Sequence, residues 1–294
     1  MKRIVQLFFV LVIFGQCFAI GYGQTARVVG WNIKGVDEIP KARAERIAKI
    51  IKEIIKPDLI VLTEVNPNST VDKIVAKLGS DYKGVILEQK PTTIQNIAFV
   101  YKSNVAVTDV QLIKGSDLAE EERSREALAA KVKIGNFDFI LIGVHLKSSR
   151  DKKEREMRTR QCKVIAKFIK EQTKGKEKDV LVIGDYNMIP REDVLTPNDE
   201  ENFNAMSDNF LRFVSTDFLK GQASHISKCE PFTGNLLDGF AITKKFTEVE
   251  YIAKSTKLLP GAELWNGDCK SYNRNVSDHF PVVSEFNVGL TDDD

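Results

Sequence analysis

The sequence predicts an α/β sandwich: two β-sheets packed face to face, with helices outside. Three observations predict it. Short, continuous apolar runs rich in Val and Ile recur, as at 58–62, 137–144 and 180–183, and such runs suit strands buried on both faces. Stretches with apolar residues at helical spacing lie between them, at 40–56 and 151–170. The pattern occurs in two halves, each alternating strands with helices, with no linker or internal repeat between them.

Composition bounds the functional classes. A chain of 294 residues fits one large α/β domain or two small ones. A hydrophobic share of 43% supports a sizeable core, and a charged share of 29% is ordinary for a soluble protein. Formal net charge is +2. The first 23 residues hold two basic residues, Lys2 and Arg3, and no acid, so the remainder is neutral. This excludes a global basic footprint for nucleic acid; any phosphate-binding field is local.

Residues 1–23 read as a secretory signal peptide. Lys2 and Arg3 form its charged start, residues 4–14 are almost wholly apolar, and the small residues Gly15, Ala19, Gly21 and Gly23 follow. The apolar run is short for a bilayer span, and no other stretch is a candidate. The expected product is a secreted or periplasmic protein with one catalytic domain over 24–294 and no stable membrane anchor. Three cysteines remain beyond the leader. Cys162 lies in a helical pattern and reads as a buried apolar filler. Cys229 and Cys269 sit in loop-like sequence near the C-terminal motifs and are predicted to form a disulfide.

The elements follow in order. Residues 25–29 form a strand that runs into Gly30-Trp31-Asn32-Ile33 and leaves Asn32 at its end. Residues 40–56 form a helix on Ala44, Ile47, Ile50, Ile51, Ile54 and Ile55, started by Pro40 and stopped by Pro57. The strand 58–62 ends in Thr63-Glu64. A short helix at 71–78 precedes strands at 84–87, 96–101 and 105–112. The charged segment 117–125 reads as exposed. Arg125 then stands just before the strand 127–132, where its fork of donors suits a phosphate and a surface role is equally compatible. The strand 137–144 ends at His145, and 151–170 is a long charged helix.

The strand Val180-Leu181-Val182-Ile183 runs into Gly184-Asp185-Tyr186-Asn187. Alternation lets Asp185 and Asn187 point the same way. An ionised carboxylate at the end of a buried strand needs a partner or a metal; an Asx turn is the plainer explanation. Residues 191–213 read as loop and helix. Residues 218–233 read as irregular, with His225 a surface or loop histidine. The strand 236–242 carries Asp238 among apolar neighbours, so Asp238 needs a partner, such as a histidine that it orients. A strand at 248–253, a loop at 261–274 and a last strand at 282–286 complete the chain.

Asn32, Glu64, His145, Asp185, Asn187, Asp238, Asp278 and His279 all fall at strand ends or in flanking loops. Carboxylates with few soft ligands suit a hard cation, Mg²⁺, Mn²⁺ or Ca²⁺. No CxxC or HExxH points to zinc. Adjacent Asp278 and His279 point in different directions on an extended chain, so one can bind metal while the other faces substrate.

Trp31-Asn32, Thr63-Glu64, Val144-His145-Leu146, Gly184-Asp185-Tyr186-Asn187, Leu237-Asp238 and Ser277-Asp278-His279-Phe280-Pro281 resemble, in order, the motif series of the endonuclease/exonuclease/phosphatase superfamily, the deoxyribonuclease I-like fold. The resemblance implies a four-layer α/β sandwich with two mixed sheets, divalent-metal dependence and hydrolysis of phosphoesters. It implies that Glu64 and Asp278 are metal ligands, with Asn32 orienting metal and phosphate. Asp185 and Asn187 would position the attacking water and a phosphate oxygen. His279, oriented by Asp238, would be the general base or transition-state stabiliser. His145 resembles the second histidine, a general acid in the deoxyribonuclease branch, and Arg125 the phosphate-binding arginine. One departure stands out. Thr93 and Gln95 align with the aromatic and the acid that support the second histidine, and Gln95 lacks the charge to stabilise an imidazolium.

The expected activity is that of a secreted, metal-dependent phosphodiesterase, a nuclease acting on DNA as a monomer. The alternative is a sphingomyelinase-like or phosphoinositide-directed hydrolase, for which Leu258-Leu259-Pro260 with Trp265 is a modest membrane-contact candidate. A non-catalytic binding module is the third reading. Lys147, Arg150, Lys152, Lys153, Arg155, Arg158 and Arg160 form either a phosphate-binding rim or the solvated face of a helix. Sequons stand at Asn68 and Asn275, and a glycan on Asn275 would crowd Asp278 and His279.

Overall fold

The structure is a computed structural model. It describes residues 24–35, 39–66, 69–89, 95–118, 124–149, 151–187, 204–206 and 210–291, apart from the side chains of Thr216 and Ala262. The expected leader, Asn68, Thr93, Arg150 and most of the predicted loop-and-helix stretch 191–213 lie outside the described residues.

In chain order the described strands are β1 (Thr25–Asn32), β2 (Leu59–Val65), β3 (Tyr82–Ile86), β4 (Asn96–Lys102), β5 (Ala106–Leu112), β6 (Leu128–Ile134) and β7 (Phe137–His145). They continue with β8 (Val180–Asp185), β9 (Leu211–Phe213), β10 (His225–Cys229), β11 (Phe232–Asn235), β12 (Asp238–Thr243), β13 (Lys257–Leu258) and β14 (Val282–Asn287). The helices are α1 (Lys41–Lys49), α2 (Ser69–Leu78), α3 (Lys152–Gln172), α4 (Val214–Phe218), α5 (Gly261–Leu264) and α6 (Cys269–Asn275).

Two six-stranded sheets form, in the orders β13-β14-β1-β2-β4-β3 and β5-β6-β7-β8-β12-β9. Each is mixed: β1 and β2 run parallel, as do β7 and β8, and the remaining pairs are antiparallel. Strand periodicity explains the layers. On β1, Val28 joins the core between the sheets with Leu59, Val61, Phe99, Leu141 and Ile183, while its neighbours Val29 and Trp31 face the outer layer. There α1 and α2 cover the first sheet with Ala44, Ile47, Val71 and Ile74. Helix α3 covers the second sheet with Cys162, Ile165 and Ile169. Each such aliphatic side chain contributes about 1.5–3 kcal/mol of burial. The predicted sandwich is the observed one.

Three local expectations are corrected. Residues 248–253 are mostly turn, not a strand: Val249 and Tyr251 donate back to Phe246 O and Thr247 O, and contact with β14 is one bridge, Tyr251 to Phe286, flanked by Ile252 N to Glu285 O and Asn287 N to Glu250 O. The predicted loop 261–274 contains α5 and α6, and the Asp268 side chain caps α6 by accepting from Ser271 N at 2.9 Å. The irregular stretch carrying His225 is a β10–β11 hairpin. The helix at 40–56 holds, but widens into a π-helical turn over Ile50–Ile55 and ends at left-handed Lys56, just before Pro57.

The predicted Cys229–Cys269 disulfide is formed and ties the β10–β11 hairpin to α6. Cys162 is buried and free. No helix among the described residues is long and apolar enough to cross a membrane.

Candidate active site

The parallel pairs carry their C-terminal ends to one edge of the sandwich. Asn32 at the end of β1 lies opposite Thr63 of β2, and His145 at the end of β7 lies opposite Asp185 of β8. Antiparallel β12 places Asp238 opposite the same Asp185. Gly184 makes this end possible. Its φ of +145° is left to glycine, and a Cβ there would meet Val144 O at 2.0 Å.

Side chains then join the two sheets. Asn32 Nδ2 donates to Glu64 Oε1 and to Asp185 Oδ2, both at 3.1 Å. His145 Nε2 lies 3.5 Å from Asp185 Oδ2 and 3.8 Å from Glu64 Oε1. His279 Nε2 lies 4.0 Å from Asp185 Oδ2 on the other flank. Its Nδ1 is 2.7 Å from Asp238 Oδ2, which also accepts from Ser224 Oγ at 2.7 Å. The sequence thus forms one row, Glu64–Asn32–Asp185–His279–Asp238, buried except at Glu64, with His145 beside its first half.

Asn187 forms the Asx turn that is the plainer reading of its motif. Its backbone N–H donates to Asp185 Oδ1 at 3.0 Å, an Asx turn, while its Nδ2 donates to Leu146 O at 3.0 Å. Arg125 is buried, and its Nη2 donates to Gln95 Oε1. Gln95 therefore serves Arg125 here. The charges of Glu64 and Asp185 act on Arg125 and partly offset the burial that lowers its pKa to about 10, so it remains a cation.

Electrostatics separates the two histidines. Burial alone would lower His279, but the charge and hydrogen bond of Asp238, reinforced by Asp185 and Asp278, raise it to about 10. It is an imidazolium at neutral pH. Burial holds His145 well below the usual histidine range, and the charges of Arg125 and His279 push the same way. His145 is neutral. Burial raises Asp185, with Asp238 adding to the rise and the His279 charge opposing it.

These groups differ in their fitness for a cation. Asp185, Asp238 and His279 place one possible ligand atom each within 4.8 Å of one another. Yet Asp238 Oδ2 is taken by His279 and Ser224, and Asp238 and Asp185 are almost wholly buried. Within that trio His279 and Asp238 form a hydrogen-bonded pair, and Asp185 stands 4.0 Å from His279 Nε2. Glu64 and Asp278 are open, with side chains 15% and 23% exposed. Their hard oxygen donors, with the Asn32 amide hydrogen-bonded to Glu64, fit Mg²⁺, Mn²⁺ or Ca²⁺.

Sequence reasoning passed over several supports. Trp31 Nε1 and Tyr272 OH both donate to His279 O, at 3.0 and 2.6 Å. Ser277 Oγ donates to Asn32 O at 2.6 Å and accepts from His279 N at 3.0 Å. Ser224 Oγ accepts from the N–H groups of Leu237 and Asp238. His225 bridges His279 across the backbone, their rings 4.8 Å apart. Of these, Trp31 and Ser277 stand inside the motifs; the rest lie distant in sequence. Arg158 leaves the expected basic rim: it is buried, and its Nη1 donates to Lys147 O and Ser149 O at 2.7 and 2.6 Å.

Solved structures share this architecture. D. rerio TDP2, complexed with single-strand DNA product, superposes with a TM-score of 0.67 at 17% identity, covering 90% of this chain and 99% of that one. The 3′ phosphatase NExo from Neisseria, bound to product DNA hairpin, gives 0.63 at 14% identity over 89% of this chain and 99% of its own. An endonuclease/exonuclease/phosphatase from Bacteroides vulgatus gives 0.65 at 17% identity over 90% and 98%. The chain has the deoxyribonuclease I-like fold. No protein-family model matches the sequence, and no curated protein matches it.

Proposed function

We propose that the chain is a divalent-cation-dependent phosphoesterase acting on DNA. The observation that carries this reading is the row itself: His279, held by Asp238, faces Asp185, which the Asn32 amide ties to Glu64. A phosphodiester is an anion that repels nucleophiles, so its hydrolysis needs fixed positive charge and a positioned water. His279 and Arg125 supply fixed charge. Asp185, its pKa raised, accepts a proton from water, and Asn187 holds the Asp185 carboxylate through its backbone N–H. With His279 charged, stabilisation of the developing oxyanion fits it better than general base. Neutral His145 orients groups rather than donating an imidazolium proton. Glu64, Asp278 and Asn32 would hold the cation, which would supply Lewis-acid stabilisation of developing negative charge.

The named relatives in shape carry DNA products, TDP2 a single strand and NExo a hairpin, which supports DNA over lipid. The candidate membrane contact also weighs against a lipid substrate. Leu259 is buried, and Trp265 Nε1 donates to Ser271 Oγ at 2.8 Å. Secretion or periplasmic export belongs to the same proposal; the leader-like residues 1–23 and a disulfide suited to an oxidising compartment support it. N-terminal sequencing of the exported protein tests it, and an intact Met1 would refute cleavage.

The activity test is incubation with supercoiled plasmid and with 3′-phosphorylated and 5′-blocked oligonucleotides, in Mg²⁺ and in EDTA, beside Asp185→Asn. Metal-dependent product absent from the variant is the expected result. Product that persists in EDTA or in the variant would refute the assignment.

A further inference from the structure

Lys34 lies two residues past Asn32, and nothing above gives it a task. Its backbone sits in the left-handed region, φ +52°, which costs a lysine energy that glycine or asparagine would largely avoid. Both of its peptide groups are held there by the site. Its N–H donates to Asn32 Oδ1 at 2.9 Å, and its C=O accepts from Arg43 Nη1 at 3.0 Å. Arg43 also donates to Val276 O at 2.9 Å and to Ile33 O at 2.5 Å, so it clamps this turn to the segment just before Asp278.

The side chain held by this turn ends at the candidate cation site. Lys34 Nζ lies 3.1 Å from Asp278 Oδ2 and donates to Asn273 Oδ1 at 2.8 Å. The side chain is 37% exposed and its stem flexible, so the ammonium can change partners. Arg125 feels the charges of Glu64 and Asp185, whereas Lys34 pairs with Asp278, so the two cations serve different acids.

We propose that Lys34 is the resident counter-ion of Asp278. A divalent cation displaces its ammonium, which then takes a non-bridging phosphate oxygen as its new partner. This rests on the reading of the chain as a cation-dependent phosphoesterase. The ammonium and the cation compete for one carboxylate, so removing the ammonium tightens cation binding. Once displaced, Lys34 keeps a positive charge within reach of the anion that the cation also attracts. Lys34 is a substrate-positioning residue in this scheme, and no covalent step passes through it.

The test uses the full chain and Mn²⁺, with free ion counted by electron paramagnetic resonance. Wild type, Lys34→Met and Lys34→Arg are titrated, and their melting is recorded in EDTA. The expected result is Mn²⁺ binding about two- to fivefold tighter in Lys34→Met, the scale of a half-exposed ion pair, and near wild type in Lys34→Arg. Unchanged or weaker binding in Lys34→Met, with wild type binding normally, overturns the counter-ion role and leaves the proposed function standing. Failure of wild type to bind Mn²⁺ overturns both. A second measurement needs no variant: acylation of Lys34 in wild type, read by peptide mass spectrometry. Mn²⁺ is expected to raise the labelling at least about twofold, and inorganic phosphate added with Mn²⁺ to lower it again. Labelling indifferent to Mn²⁺ overturns the proposal.

Discussion

His279 Nδ1 lies 2.7 Å from Asp238 Oδ2, and the two residues reach that distance from different sheets. Asp238 begins β12 in the second sheet, while His279 precedes β14 in the first. The pair therefore reports on the seating of one sheet against the other as well as on proton chemistry. Asp238→Asn keeps the shape and the Ser224 hydrogen bond but removes the charge that keeps His279 protonated. The expected outcome is a fall in kcat of roughly 10²–10⁴-fold, the range for a placed proton-handling group, with an unchanged circular dichroism spectrum. His279→Ala is expected to fall as far. Near wild-type kcat in either variant would remove the dyad from the mechanism.

Gly184 tests how the site edge is built. Its φ of +145° and the 2.0 Å that would separate a Cβ from Val144 O leave no room for a side chain, because Val144 belongs to the neighbouring parallel strand. Gly184→Ala is expected to lose more than about 2 kcal/mol in urea unfolding, from backbone strain plus displacement of β7. Gly115 is the control. It too has positive φ, but nothing lies within 4 Å of its Cβ position. Gly115→Ala should cost only about 1–2 kcal/mol. Equal losses in the two variants would mean that the close approach to Val144 carries no energy.

The strands that matter most were legible because they are buried on both faces. Val180–Asp185 and Leu59–Val65 are apolar runs, and burial on two faces removes the need for alternation. Their terminal polar residues were legible for the same reason, since a carboxylate after such a run must find a partner. Asp238 was expected to orient a histidine, and it does. The supports were not legible. Ser224 and Tyr272 act on Asp238 and His279 through contacts that only the folded chain creates, and neither carries a charge or motif of its own. The β10–β11 hairpin escaped because its strands are short and mostly polar, so their pairing leaves little hydrophobic pattern. Residues 248–253 misled in the opposite sense. Their composition suits a strand, but Val249 and Tyr251 bond back to Phe246 and Thr247 in turns, which leaves a single bridge to β14.

The disulfide Cys229–Cys269 closes a loop of 40 residues in sequence separation. Chain entropy alone assigns such a loop about 4 kcal/mol, with measured values for native bridges of about 2–5 kcal/mol. Cys229→Ser with Cys269→Ser is therefore expected to lower unfolding free energy by about 2–4 kcal/mol. Dithiothreitol should lower wild type by the same amount and leave the double variant unmoved. The hairpin that the bridge holds also carries His225 against His279, and Phe280 N donates to Ser224 O at 2.7 Å next to it. Loosening it should thus reduce kcat as well. A double variant as stable as wild type would mean that packing of the hairpin alone fixes it.

Cys162 gives the pH test, because it lies away from the candidate cation site, within the α3 layer. Burial pushes its thiol up to about 12, and the Arg158 charge only partly opposes this. The folded state therefore holds the proton more tightly than the unfolded state, whose thiol titrates near 8.5. Its stabilising contribution is fully present below that value and is lost as pH rises through about 12. Two outcomes follow. In native protein at pH 8, Cys162 should react with a thiol reagent only as fast as the fold opens, and at full speed in guanidinium. Cys162→Ala removes the titration, so the stability difference between wild type and variant should shrink between pH 8 and pH 11. A native thiol that reacts at the speed of a free cysteine would place Cys162 outside the core, and a difference constant across that range would show that its pKa is not raised by folding.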